Sequence, residues 1–274
     1  MNILFWNVNE GIGPHVKNAG HVDHIIKSII REYNCDFVIL AEHQGDLQLS
    51  GLERDINLFL TEHFDGCPRI KMYASQEYTV RVLFENSYYT IKEITIKNVK
   101  YIIVGVHFPS KLCCTDEERQ AKSNELTHDI IDYENKTGSD RTLIVGDFNA
   151  NPFENCMVNA NSLHSISVDK EARRLSRTVL KTEYKMFYNP MWALYGTHTA
   201  PYGTYYVSSG KINHFYWNIF DQVIMRPSLI SFFDQRSLKI ISRTGDISLL
   251  KDNYKPDRKI SDHLPIFLTI NQED

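Results

Sequence analysis

Long apolar runs are missing from this sequence. None approaches the ~20 residues that a membrane-spanning helix requires. No leader is expected either: the chain opens MNILFWNV, which has neither a cationic start nor a small-residue cleavage site and runs straight into a strand pattern. Cations are not in excess, since 30 Lys and Arg face 34 Asp and Glu and the net charge is −4. The molecule as a whole is therefore no polycation, and contact with nucleic acid would need a local basic patch. Cysteines are few and odd in number, namely Cys35, Cys67, Cys113, Cys114 and Cys156, with no zinc-site spacing. In a chain of 274 residues they do not read as a disulfide framework, and a reducing compartment is the expectation. No G-x-S-x-G and no Cys–His arrangement offers a nucleophile for acyl transfer. No linker, repeat or low-complexity segment divides the chain. The expectation is one cytoplasmic domain over residues 1–274, without a membrane partner.

What is present is a succession of short apolar segments. Residues 2–8 and DFVILAE at 36–42 are continuous apolar runs, the pattern of strands covered on both faces. Between them, Val22, Ile25, Ile26, Ile29, Ile30 and Tyr33 recur at helical spacing, which predicts an amphipathic helix over 21–33. Residues 69–108 hold RIKMYA, TVRVLF, SYYTIKEITI and VKYIIVGVHF, read as an antiparallel meander. A helix over 115–134 is expected, with Thr115 as its cap and Glu118 three residues later. TLIVGDFN, FDQVIM, LKIISR and LPIFLTI supply further strands. Many strands with helices in two or three places predict a layered α/β sandwich of mixed sheets.

The polar residues that interrupt this pattern fall at strand ends. Asn7 ends ILFWNV, Glu42 ends FVILAE, His107 ends YIIVGVHF, and Asp147 and Asn149 end TLIVGDFN. Asp221 opens FDQVIM, while Asp262 and His263 precede LPIFLTI. Sheet rims are where side chains distant in sequence converge on a rigid platform. Glu42 and Asp262 are hard carboxylate ligands and Asn7 and Asn149 offer amide oxygens, a set suited to Mg²⁺ or Mn²⁺. Two histidines add acid–base groups near neutral pH. Asp147 and Asn149, two apart on extended chain, point to one side. Metal-assisted hydrolysis of a phosphoester fits this inventory. Taken singly, each residue has a plainer reading: Asp147 as a turn former, Asp262 as a helix cap, His107 as a core histidine, Asn7 as a strand terminator. Their occurrence together and in this order carries the functional reading.

In FWNVN, LAEHQ, GVHFPS, GDFNANP, FDQVI and SDHLPI the chain resembles the endonuclease/exonuclease/phosphatase family across residues 2–267. GDFN-x-x-P and SDH are specific in combination. The resemblance implies a deoxyribonuclease I-like four-layer sandwich of two packed mixed sheets flanked by helices. It implies a Mg²⁺-dependent phosphodiesterase with Glu42 on the metal, Asn7 beside it and Asp262 completing that site or a second one. Asp147 and Asn149 would position or deprotonate the attacking water. His263, oriented by Asp221, would bind the scissile phosphate or act as base, and His107 would contact the phosphate. Abasic-site endonucleases of the family usually carry tyrosine at the position of His107 and aspartate at that of Asn9. Both departures point toward the deoxyribonuclease, sphingomyelinase and deadenylase side.

Two segments bear on substrate. Between the GDFN strand and Asp221, Lys170, Arg173, Arg174, Arg177, Lys181 and Lys185 cluster in a stretch read as a basic helix, with 170, 174, 177 and 181 on one face. Such a face could track a phosphate backbone or simply be solvated. Tyr202, Tyr205, Tyr206, Phe215, Tyr216 and Trp217 could stack bases or pack among strands; Trp217, near Asp221, is the stacking candidate. A nuclease acting on DNA or RNA is the leading reading. A phosphatase or a phospholipid or small-molecule phosphodiesterase is the alternative, with a non-enzymatic binding module behind both.

Overall fold

Successive side chains of a strand point to opposite faces, and in the apolar runs both directions end in a core. Ile3 and Phe5 point one way, into a cluster with Phe37, Ile39, Ile103, Val145 and Val223. Leu4 and Trp6 point the other way, onto Ile25, Ile26, Ile29 and Ile30 of the first helix. On the far side Ile102, Val104 and Ile144 meet Leu126 and Ile130 of the long helix. Each such burial contributes about 1.5–3 kcal/mol relative to exposure. The order is helix, sheet, sheet, helix, the four-layer sandwich expected.

The computed structural model describes residues 1–10, 20–47, 49, 57–64, 66–210, 212, 214–252 and 254–272. Its elements begin with β1 (Asn2–Asn7), α1 (Asp23–Tyr33), β2 (Phe37–Ala41), β3 (Leu58–Leu60), β4 (Ile70–Ser75), β5 (Thr79–Glu85), β6 (Tyr89–Ile96), β7 (Val99–His107), α2 (Asp116–Thr137) and β8 (Thr142–Asp147). Next come α3 (Asn155–Val158), β9 (Ser165–Ile166), α4 (Asp169–Ala172), β10 (Ser176–Val179), β11 (Thr182–Lys185) and β12 (Phe187–Tyr188). Then follow β13 (Tyr205–Tyr206), β14 (Trp217–Asn218), β15 (Asp221–Met225) and β16 (Phe233–Ile240). Short strands β17 (Arg243–Thr244), β18 (Ile247–Ser248), β19 (Leu250–Lys251) and β20 (Lys255–Pro256) precede β21 (Ile266–Ile270). The first sheet has the order β16-β21-β1-β2-β4-β3 and the second β5-β6-β7-β8-β15-β12-β9. Among the described residues no helix is long and apolar enough to cross a membrane.

The long helix starts as its sequence demands. Thr115 Oγ1 accepts from Glu118 N at 3.2 Å and Glu118 Oε2 accepts from Thr115 N at 2.8 Å, a reciprocal cap. Two expectations need correction. The stretch 69–108 is not one meander: β4 pairs with β2 in the first sheet, and only β5, β6 and β7 run as a meander in the second. Nor is the basic stretch a helix. Only Asp169–Ala172 is helical, and Ser176–Val179 and Thr182–Lys185 form an antiparallel ribbon. The cationic spacing imitated a helical face, but a surface helix is held by an apolar stripe. Here Thr178, Val179 and Thr182 favour strand instead.

Topology carries the strand ends to one rim. β1 runs parallel to β2, so Asn7 and Ala41 finish side by side with Glu42 next. β7 runs parallel to β8, so His107 lies opposite Asp147. β15 starts at this rim antiparallel to β8, with Asp221 opposite Asp147. β21 is antiparallel to β1, so the residues that lead into it arrive there too. The glycine of VGDFN has a structural reason. A Cβ at Gly146 would stand 2.0 Å from the Val106 carbonyl oxygen, so a side chain there would part β7 from β8.

Candidate active site

Asp147 is the centre of the rim. It is buried, and its carboxylate is held in a fixed plane: Asn7 Nδ2 donates to Oδ2 at 3.0 Å and Asn149 N donates to Oδ1 at 2.8 Å. Asn149 Nδ2 is turned toward Phe108 O at 2.8 Å. Burial raises the Asp147 pKa, and the charge of Asp221 adds to the rise; His263 and His107 oppose it.

His263 sits between two carboxylates. Its Nδ1 donates to Asp221 Oδ2 at 2.8 Å and its Nε2 stands 3.9 Å from Asp147 Oδ2. Burial alone would lower its pKa. The charges of Asp221 and Asp147, with the Asp221 hydrogen bond, outweigh that and push it up to about 10. The imidazole is therefore a cation at neutral pH. Its backbone is pinned on both sides: Trp6 Nε1 donates to His263 O at 3.0 Å, and His263 N donates to Ser261 Oγ at 3.1 Å. Asp221 is anchored in turn, its N donating to Thr204 Oγ1 at 3.1 Å.

His107 also faces two carboxylates, with Nε2 3.2 Å from Glu42 Oε1 and 3.9 Å from Asp147 Oδ2. That contact, against the opposing effect of burial, lowers the Glu42 pKa. The Glu42 side chain keeps 28% of its surface exposed. Its backbone is left-handed, at φ 54°, and those of Asn9 and Asn149 are at φ 48°. Asparagine tolerates this region, whereas for glutamate it costs about 1–2 kcal/mol. Asp262 is tied into the same network, since Asn9 Nδ2 donates to its Oδ1 at 2.7 Å and Asn9 N donates to Asn7 Oδ1 at 3.0 Å.

The eight residues assigned from strand ends thus converge, and seven of them, all but Asp221, line a cleft of about 900 Å³. Asp221 lies behind His263, fully buried. Two sets of ligating groups can be distinguished. Asp147, Asp221 and His263 have ligand atoms within 4.8 Å of one another. Of these, both Asp147 oxygens already accept from Asn7 and Asn149, and His263 Nδ1 is bonded to Asp221 Oδ2, while His263 Nε2 and Asp221 Oδ1 are not so engaged. Glu42, Asn7 and Asp262 form an oxygen-rich set at the cleft, with two half-buried carboxylates.

The expected substrate contacts fare differently. Arg173, Arg174 and Arg177 do not line the cleft. Arg174 NH1 pairs with Glu171 Oε2 at 3.0 Å, and Arg173 NH1 donates to Ser231 Oγ at 3.0 Å. The ribbon that holds Arg177 leads into Phe187–Tyr188, where Tyr188 pairs with Met225, the end of β15 away from Asp221. Trp217 is 8% exposed and packs edge-on against Tyr202, Tyr206 and Tyr254, so it presents no face to a ligand. Two other members of the aromatic set, Tyr205 and Phe215, do reach the cleft. Tyr205 lies over His263 with ring centroids 4.7 Å apart, stacks on Phe220, and bridges the His263 backbone. Arg69, Lys111 and Phe153, which the sequence did not single out, also line it. None carries a motif; the one available hint for Arg69 was its place at the start of a strand.

No protein-family profile matches this sequence, and no curated protein matches it either. Solved structures do. TDP2 from D. rerio, complexed with a single-strand DNA product, superimposes with a TM-score of 0.60 at 15% identity over 99% of each chain. The human Nocturnin catalytic domain with bound sulfate gives 0.54 at 13% identity, covering 98% of this chain and 93% of that one. The endonuclease domain of TRAS1, a telomere-specific non-LTR retrotransposon, gives 0.52 at 12% identity over 100% and 99%. What the chain shares with them is the fold, the deoxyribonuclease I-like sandwich of two packed mixed sheets that its sequence led one to expect.

Proposed function

We propose that the protein is a divalent-metal-dependent phosphodiesterase, and that its substrate is DNA or RNA. The observation that carries this reading is the buried Asp221–His263–Asp147 chain at the floor of a cleft whose wall holds Glu42 and His107. Two carboxylates that flank one protonated imidazole form a site made to meet an anion and to take a proton. Two fold neighbours, TDP2 in complex with a single-strand DNA product and the endonuclease domain of TRAS1, favour a polynucleotide over a small phosphoester.

The donor chemistry fits a hard divalent cation. Glu42 would hold it, with Asn7 and Asp262 beside it, because these are hard oxygen donors on the cleft wall. The strain retained at Glu42 supports a role beyond folding. Mg²⁺ or Mn²⁺ held there would supply Lewis-acid polarisation of the phosphoryl oxygens.

The chain's own groups do the rest. Asp147, fixed by Asn7 and Asn149, orients the attacking water and takes its proton. Its raised pKa makes it a better base than an ordinary aspartate. His263, protonated and steadied by Asp221, donates Nε2–H to a non-bridging phosphate oxygen. The 3.9 Å between Nε2 and Asp147 Oδ2 is too long for a direct hydrogen bond, so both groups keep a free side for substrate. His107 offers Nε2 from the opposite wall and stabilises charge that builds on phosphorus oxygens in the transition state.

The test is a panel of single- and double-stranded DNA, RNA, inositol phosphates and sphingomyelin, each with Mg²⁺ and with chelator. Metal-dependent cleavage of polynucleotide supports the reading. Turnover confined to inositol phosphates or sphingomyelin would replace it with a small-molecule or phospholipid phosphoesterase.

A further inference from the structure

The ribbon β10–β11 is not used by the chemistry above. Its root is built into the molecule: Met186 N donates to Leu175 O at 2.8 Å, and Ala172 and Tyr188 lie in the inter-sheet core. Its free end stands away from the cleft. Strand pairing sorts its side chains. Arg177 opposite Tyr184, and Val179 opposite Thr182, share one face. Ser176, Thr178, Glu183 and Lys185 share the other, where Ser176 Oγ donates to Glu183. The one acid of the ribbon is thereby removed from the first face.

Leu180 and Lys181 make the turn. Both have positive φ, 48° and 69°, in a two-residue connection for which Asn-Gly is the favoured pair. Leucine and lysine are poor choices there on backbone grounds, and Leu180 is 94% exposed, a poor choice on solvation grounds. Arg177 and Lys181 have no ion-pair partner among the described residues. The apex is thus one apolar side chain with two uncommitted cations and a tyrosine ring behind it.

We propose that this ribbon docks the protein on an anionic lipid surface. Leu180 enters the interface, Arg177 and Lys181 meet lipid phosphates, and Tyr184 sits at headgroup level, where tyrosine is favoured. The apex is convex, so it suits a fluid interface that closes round it rather than a partner with a fixed shape. A polynucleotide would satisfy the two cations but leave Leu180 in water. The cleft, at the other end of the sheet, would stay open to its substrate.

Co-sedimentation with vesicles decides it. The full chain should bind phosphatidylserine–phosphatidylcholine vesicles and not pure phosphatidylcholine, and binding should weaken with salt. Arg177→Glu and Lys181→Glu should each lower the partition at least about fivefold, the equivalent of ~1 kcal/mol per cation near an anionic surface. Leu180→Asn keeps both cations and suits the turn, so its melting temperature should hold or rise while vesicle binding falls. Hydrolysis of a soluble phosphodiester should be unchanged in all three. Equal binding to neutral vesicles, no binding to either kind, or full binding by Leu180→Asn would overturn the proposal. So would a ribbon that retains single-stranded DNA through Arg177 but ignores vesicles.

Discussion

At one end of the second sheet, Asp147 and Asp221 face each other across a backbone pair and share His263; at the other, Arg177 and Lys181 stand in water on the β10–β11 ribbon. In both places like charges are gathered, yet the physics differs. At the rim, burial removes water, so each charge is set by its neighbours and a histidine is driven up to about 10. On the ribbon, water screens each cation, and only an external anionic surface would make the cluster count. The lesson is that charge in sequence is not yet electrostatics; the burial of each group decides its strength.

The comparison breaks most visibly at Asp147 and His263. Asp147→Asn and His263→Ala should each lower kcat by about 10²-fold or more, the scale of losing a positioned acid–base or electrostatic group. Single-turnover rates at saturating Mg²⁺, with circular dichroism to confirm the fold, give the measurement. Near-normal turnover would place the centre elsewhere.

Glu42→Gln removes one of the two half-buried carboxylates at the cleft and leaves the rim's shape. Calorimetric Mg²⁺ titration should show affinity reduced by at least about tenfold, ~1.4 kcal/mol. Unchanged affinity would shift the ligand role to the Asp147, Asp221 and His263 set.

Asp221→Asn should cost less turnover, about tenfold, because it acts through His263. It also has a signature in stability. The folded His263 pKa of about 10 lies above the ordinary 6.5, so the native state holds an extra proton between those values. The stabilisation from its carboxylates is full below about pH 6.5 and is lost as pH rises through about 10. In metal-free protein, the gap in melting temperature between wild type and Asp221→Asn should therefore be widest near pH 6 and narrow toward pH 10. A gap that widens with pH would contradict the protonated imidazole.

The smallest effect belongs to the far end. Replacing Arg173, Arg174 and Arg177 together by alanine should leave KM for polynucleotide within about twofold, and its salt slope unchanged, because no phosphate contact is lost. A slope that flattens by about 0.7–0.9 per arginine would bring the strip back into substrate binding.

The sequence by itself determined the layers and the rim. Continuous apolar runs such as ILFWNV and TLIVGDFN can be satisfied only by strands covered on both faces, and Thr115 with Glu118 marks a helix start through local hydrogen bonds. A polar residue at the end of such a run is legible because it breaks a strong pattern, so Asn7, Glu42, His107, Asp147, Asp221 and His263 could be picked out without coordinates. Tertiary structure decided what depends on neighbours distant in sequence. Whether Trp217 faces a ligand or Tyr202 and Tyr254 is a matter of packing, and its burial was not written in its own segment. That Tyr205 lies on His263 follows from a backbone bridge across 58 residues, invisible to any periodicity. The β10–β11 ribbon is not legible in its segment because its turn uses Leu180 and Lys181 at positive φ, where glycine or asparagine would announce it. Local rules read the chain wherever local energies dominate. The cleft and the ribbon end were settled by long-range packing, which assigns each polar group its burial and its partners.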